Sequence, residues 1–153
     1  MNIPGIARLD DRPVLMVNDE PILLFGGEIH NSSASDLGYM EREVWPHVRK
    51  LHLNSLIVTV AWEFLEPKSG EFGFTLPDGL IAQAEREGVK LVFLWFGLWK
   101  NGMSTYIPAW MKRDRQVYFP MRDRTGRTVN AVSRCAGKRS SGTRRLFRRL
   151  WPI

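Results

Sequence analysis

The chain has 153 residues, is 44% hydrophobic and carries six Trp and eight Phe, too apolar for a disordered segment and sufficient for one packed core. A closed eight-stranded βα barrel needs roughly 250 residues, so any barrel in this length is incomplete. The formal charge of +6 is concentrated: residues 124–153 hold nine of the 22 bases and none of the 16 acids, leaving thirteen bases against sixteen acids in residues 1–123. A mildly acidic body argues against a nucleic-acid partner, and the high isoelectric point describes the basic end alone.

Two apolar runs, residues 13–17 and 22–25, flank Asn18-Asp19-Glu20-Pro21, a turn-rich tetrad that predicts an antiparallel hairpin whose second arm enters the core. Gly26-Gly27 then allow a tight backbone path before Glu28-Ile29-His30-Asn31. Met40, Val44, Val48 and Leu51 recur at helical spacing, with Glu41, Arg42, Arg49 and Lys50 outside. Pro46 interrupts that pattern, so the regular helix is expected from about Trp45, with proline in its first turn.

Residues 56–60 are apolar or β-branched throughout, as in a strand covered on both faces of a parallel sheet. Residues 66–72 read as a loop. Leu80, Ile81 and Ala84 mark a short helix closed by Gly88, and residues 90–96 supply the next buried strand. Strand starts near Leu23, Leu56 and Leu91 repeat every thirty-odd residues with a helix between them, the pattern of successive βαβ units. The fold class expected is α/β: about three βα units, the amino-terminal portion of a TIM (β/α)8 barrel, preceded by a β-hairpin arm. An open doubly wound sheet is the alternative, but no glycine-rich phosphate fingerprint follows any strand.

A single cysteine, Cys135, excludes an internal disulfide framework. The first residues show neither a basic start with an apolar core nor a small-residue cleavage site, and the longest apolar run, residues 91–99, is about half the length of a membrane span. A cytoplasmic location without a transmembrane segment is expected. Three dispersed histidines and one cysteine form no metal-ligand spacing, so neither a metal nor another cofactor is expected.

In βα barrels, chemistry lies at the carboxyl ends of the strands. Three clusters occupy those positions: Glu28, His30 and Asn31; Trp62, Glu63 and Glu66; and Trp95, Trp99, Lys100 and Asn101. Carboxylates, amides and indoles together suit a sugar, whose hydroxyls need polar partners and whose ring face stacks on aromatics. Each cluster also has a plain structural reading: Glu28 and His30 could satisfy loop backbone, Trp62 and Trp95 could fill core, and Asn101-Gly102 could be only a turn. His47 and His52 are read as surface or packing residues on the helix.

The segment Phe25-Gly26-Gly27-Glu28-Ile29-His30 resembles the first strand of glycoside hydrolase family 35 β-galactosidases. Leu53-Asn54-Ser55 leading to Ala61-Trp62-Glu63-Phe64-Leu65-Glu66-Pro67 and Gly70-Glu71-Phe72-Gly73-Phe74 resembles that family's second strand and loop, a pattern shared with family 42, and Pro108-Ala109-Trp110 resembles the segment after the third strand. The likeness covers roughly residues 13–123. It implies a retaining mechanism on β-galactosides or related oligosaccharides, with one Glu as acid/base and a second as nucleophile. In this clan those residues follow the fourth and seventh strands, and the acid/base sits in an Asn-Glu pair that this sequence lacks. No catalytic residue is therefore expected here, and the ten clustered residues are expected to bind or shape the sugar subsite. Glu63 stands where family 35 often has Asn.

After Asp123 the composition changes, with no acid and no fourth strand recognisable. A catalytic portion over 1–123 and a basic, disordered or out-of-frame tail over 124–153 are expected, giving an inactive, truncated hydrolase. Two alternatives are a carbohydrate-binding remnant without hydrolysis, and a polyanion or membrane-surface binder built on Leu146, Phe147, Leu150 and Trp151 opposite Arg144, Arg145, Arg148 and Arg149. Three barrel strands alone would leave an unpaired edge, so self-association is expected.

Overall fold

The computed structural model describes residues 3–133 and 135–136. It opens with an antiparallel sheet of β1 (Gly5–Leu9), β2 (Arg12–Val17) and β3 (Glu20–Ile22). Leu9 pairs with Arg12 and Val17 with Glu20, so each hairpin turns on two residues. Asp10 and Asp11 (φ 48° and 61°) and Asn18 and Asp19 (φ 53° and 65°) occupy those turns in the left-handed region, as the twist of a two-residue hairpin requires. Sequence reading found the second turn and missed β1, because Asp-Asp is a weaker turn signal than Asn-Gly.

The predicted second arm does not enter the core. It leaves the sheet at Ile22, and Leu23, Leu24 and Phe25 are 85%, 42% and 60% exposed. Asn54 explains this. Its side-chain amide donates to the Leu23 carbonyl (2.7 Å) and its Oδ1 accepts from the Phe25 N–H (2.7 Å), so a side chain takes the backbone groups a neighbouring strand would have used. The Asn54 N–H also reaches the Phe25 carbonyl (3.0 Å), and its carbonyl accepts from the Lys90 N–H (2.9 Å).

Asn54 thereby gathers the amino ends of the three strands of a parallel sheet, β4 (Gly26–Glu28), β5 (Ser55–Ala61) and β6 (Lys90–Phe96). Gly26, Ser55 and Lys90 lie in register across it. β5 is central and almost wholly buried, as its continuous apolar sequence predicts. β6 was expected to be buried but is an edge with Val92 43% exposed, since among the described residues β5 is its sole neighbour. The first strand begins at Gly26 rather than near Leu23. A Cβ on Gly26 would press on the Ser55 side chain and lie 3.0 Å from its carbonyl oxygen, so glycine allows the close approach there.

Helical chain joins β4 to β5: a 3-10 turn (Ser33–Ser35), α1 (Leu37–Tyr39), a π turn (Met40–Val44) and α2 (Trp45–Lys50). Asp36 caps α1 by accepting from the Tyr39 N–H (2.6 Å). Regular α-helix starts at Trp45 with Pro46 in its first turn, as expected. The preceding segment is also helical, widened so that the Trp45 N–H reaches the Met40 carbonyl, next to the proline that cannot donate. Met40, Trp45 and Val48 are buried, whereas Leu51 is 59% exposed. Beyond α2, His52 adopts φ 53° and the Leu53 N–H closes back on the Val48 carbonyl (3.1 Å). His52 is thus a left-handed helix terminator rather than a residue on the helix.

After β5 come α3 (Trp62–Leu65) and α4 (Thr75–Glu87). α4 is longer than predicted, with Pro77 tolerated in its first turn. It ends at Gly88 (φ 68°) as expected. Ile81 is 40% exposed, and Leu80, Gln83 and Ala84 face inward instead. Gln83 joins helices through the core: its Oε1 accepts from the Trp45 indole (2.8 Å) and its Nε2 donates to the Leu37 carbonyl (3.0 Å). At the surface Arg49 pairs with Glu87 (2.6 Å) and Arg86 with Glu41. The helices pack on Leu56 and Val58 to form one core cluster.

A second cluster joins Val60, Trp62 and Leu65 to Ile107, Met111 and Val132. It depends on α5 (Ala109–Arg113) and an antiparallel pair, β7 (Pro120–Arg122) and β8 (Thr128–Val132). This pair crosses the expected boundary at 123/124 and supplies a strand where none was recognised. Asp123 builds its turn, accepting at Oδ1 from the Thr125 hydroxyl (2.6 Å), the Thr125 N–H (2.8 Å) and the Arg127 N–H (3.0 Å), with Gly126 at φ 86°. These bonds, the Thr125 hydroxyl's first, hold the Asp123 carboxyl below its ordinary pKa. Residues 137–153, including the predicted amphipathic stretch at 144–151, lie outside the described residues.

If close approach of β4 to β5 requires glycine, Gly26→Ala should lower unfolding free energy by about 1–3 kcal/mol. Urea unfolding followed by tryptophan fluorescence measures this; an unchanged midpoint would show that the contact yields freely.

Candidate functional site

The three predicted clusters lie toward the carboxyl ends of β4, β5 and β6, with Glu28 the last residue of β4 and Trp95 still inside β6, because those strands are parallel. The first is joined to the sheet by the Thr59 hydroxyl, which donates to the Asn31 carbonyl (2.6 Å). The Ser33 N–H closes a turn on the His30 carbonyl (3.0 Å). Glu28 and His30 are exposed and Asn31 is half-buried. All three line an open cleft of about 540 Å³ against Tyr39, Glu43 and His47, and His30 and Asn31 also border a neighbouring cleft of about 700 Å³ containing Asp36 and Arg42.

The second cluster divides. Glu66 is only 2% exposed; its Oε2 accepts from the Trp62 indole (2.6 Å), its Oε1 from the Gly70 N–H (2.8 Å), and its backbone carbonyl from the Trp110 indole (3.0 Å). Trp62 is equally buried and stacks at a tilt on Trp95, centroids 6.3 Å apart. A buried carboxylate needs several donors, and here they fold the 66–72 loop onto α3 and α5. Trp62 and Glu66 therefore hold the loop in this structure, and their polar atoms face each other rather than a cleft. Glu63 differs: it is half-buried, its N–H donates to the Tyr106 carbonyl (3.0 Å), and its Oε2 pairs with Lys112 (2.8 Å).

In the third cluster, Trp99 donates from its indole to the Val132 carbonyl (2.8 Å), fastening β8 to the end of β6. Lys100 lies over the Phe96 ring, 4.5 Å from its centroid. Asn101 (φ 53°) and Gly102 (φ 74°) make the tight turn that bridges Lys100 to Met103, in agreement with the turn reading. Neither cleft at the β4 tip includes Glu63, Glu66 or Lys100. The clusters share one end of the sheet without sharing one of these clefts.

Sequence reading passed over α5 and the hairpin, which enclose a cleft of about 300 Å³ lined by Lys112, Arg115, Tyr118, Thr128 and Asn130. The Ser104 hydroxyl accepts from the Val132 N–H (2.8 Å) in its wall. Burial first, then the negative charges of Asp114 and Glu66, raise the Tyr118 pKa above its ordinary value. No local signal in residues 112–115 announces this cleft, since it forms only when the hairpin folds against α5. Among the described residues no group of His, Cys, Asp or Glu could hold a metal ion.

Residues 40–147 match the profile of glycoside hydrolase family 42, described as β-galactosidase. The chain belongs to that family. The match begins after the Gly26–His30 segment and continues past Asp123, where the motif reading stopped, through residue 147. No curated protein matches the chain. Among solved structures, similarity is found to an exo-β-1,4-mannosidase from Opitutaceae bacterium strain TAV5, with 20% identity and a TM-score of 0.43, covering 56% of this chain and 16% of that one. This family 42 chain thus spans a minor part of that structure's length. No described helix is long and apolar enough to cross a membrane.

The assignment of Glu66 to the loop has a direct test. Glu66→Gln places an amide N–H against one of the two donors and should reduce unfolding free energy by about 1–3 kcal/mol. Chemical denaturation reads the change, and a variant as stable as the parent would remove the structural role.

Proposed function

We propose that this chain carries part of a β-galactosidase-type sugar site on an incomplete TIM-barrel sheet, and that it binds a β-galactoside or related oligosaccharide without hydrolysing it. The observation that carries the reading is the parallel register of β4, β5 and β6, which sets Glu28 level with Ile57 and sends His30, Asn31 and Glu63 out in the same strand direction. Family membership supplies the substrate class. Glu28 and His30 are exposed in an open cleft beside Tyr39, with a carboxylate and an imidazole for hydroxyls and a phenol ring for the sugar face.

Retaining hydrolysis requires two carboxyl groups about 5–5.5 Å apart across the scissile bond, one protonated and one free to attack. Two of the three carboxylates at these tips are committed otherwise. Both Glu66 oxygens accept hydrogen bonds and Glu63 is paired with Lys112, while the family's Asn-Glu pair does not occur. Binding without turnover follows.

Self-association through the open edges belongs to the same reading: β4 and β6 each have one neighbour among the described residues, and Leu23, Phe25 and Val92 are exposed beside them. A cytoplasmic location accords with a free, exposed Cys135. The basic-tail alternative rests on residues outside those described.

Purified chain should bind galactose weakly and lose that binding on Glu28→Gln or His30→Ala, with turnover of a chromogenic β-galactoside no greater than in a Glu63→Gln control. Turnover above the control would overturn the non-catalytic assignment. Galactose binding untouched by both tip variants would displace the site.

A further inference from the structure

The cleft between α5 and the β7–β8 hairpin is chemically unlike the β4 tip. One wall is apolar, from Met111, Ile107 and Val132, and the other presents Lys112, Arg115, Tyr118, Thr128 and Asn130. No acidic side chain lines it. Its volume of about 300 Å³ lies at the small end of ligand pockets, suited to one sugar ring rather than a chain. The acids nearby are already engaged: Glu63 with Lys112 (2.8 Å), and Asp114 with the Val117 N–H (3.1 Å).

We propose that this cleft binds the carboxylate of an acidic monosaccharide unit, a uronic acid, with Arg115 as its principal charged partner. A guanidinium offers two parallel N–H donors to a carboxylate, a geometry that neutral hydroxyls do not use as fully. Lys112 adds positive potential while its pairing with Glu63 connects the cleft to the tip of β5. Thr128 and Asn130 provide donors and acceptors for ring hydroxyls, and the half-buried Pro120 and Val129 give the ring an apolar edge. Tyr118 adds a phenol O–H as a further donor.

This inference rests on the reading of the chain as a saccharide binder and adds a second, charge-selective subsite to it. The cleft is built by the hairpin, so it exists only because residues 128–132 fold back on α5, the region that composition alone marked as a tail.

The test uses the full chain, with galactose, galacturonic acid and acetate as probes followed by amide chemical shifts. Galacturonate should bind at least about tenfold more tightly than galactose, perturb β8 and α5 amides, and weaken as salt rises. Arg115→Gln should abolish that advantage while leaving galactose binding at the β4 tip unchanged. Equal affinities for the two sugars would overturn the inference and leave the proposed function standing. So would a galacturonate preference that survives Arg115→Gln, or an acetate response as strong as galacturonate's, which would mean carboxylate binding without sugar recognition. Loss of all sugar binding in the parent chain would overturn both.

Discussion

Three parallel strands keep one register only if their starts are aligned, and one residue does most of that alignment. Asn54 spends its side chain on the Leu23–Phe25 backbone and its own backbone on Phe25 and Lys90, so β4, β5 and β6 begin side by side. Because side chains alternate along a strand, a one-residue slip of β4 would turn Glu28 to the opposite face and carry His30 away from Thr59. The close contact at Gly26 and the Thr59 to Asn31 bond fix the same register from the other side. The placement of Glu28, His30 and Asn31 against β5 follows from that register.

A second constraint organises the far end of β5. Indoles from Trp62 and Trp110 converge on Glu66, one at its carboxylate and one at its carbonyl, while the Trp99 indole secures β8. Each aromatic buries a large apolar face and satisfies one polar group, which suits the seam between a sheet and irregular loops. The residues that look most like sugar platforms in sequence therefore do much of their work inside the fold. Their packing leaves smaller polar groups exposed at the strand tips and around the cleft beneath the hairpin.

Continuous apolar stretches made β5 and β6 legible, and Gly88 and Asn18-Asp19 announced their turns in advance, because those signals are local. The misplaced start of β4 had a nonlocal cause: Leu23, Leu24 and Phe25 look like a strand, but a side chain 29 residues further on from Phe25 takes its backbone N–H. The hairpin of β7 and β8 was hidden by charge, since nine bases without an acid draw attention from the modest alternation of Thr128–Val132 and from the Asp123 turn that creates it. Glu28, His30 and Asn31 were found as a group because they are adjacent in sequence. The division between Glu63 and Glu66 was not legible, since it depends on which carboxylate meets Trp62, Gly70 and Lys112 in space.

Strand register accounts for a parallel sheet whose polar tips lie toward one side, and that shared direction is the claim on which the functional reading stands. A nitroxide attached at position 30, as His30→Cys in a Cys135→Ser background, measures it most directly through paramagnetic broadening of backbone amides. The account predicts strong broadening at residues 59–63, with residues 55 and 90 at the other end of the strands much less affected. Broadening concentrated at Ser55 and Lys90, or spread without regard to strand end, would contradict it.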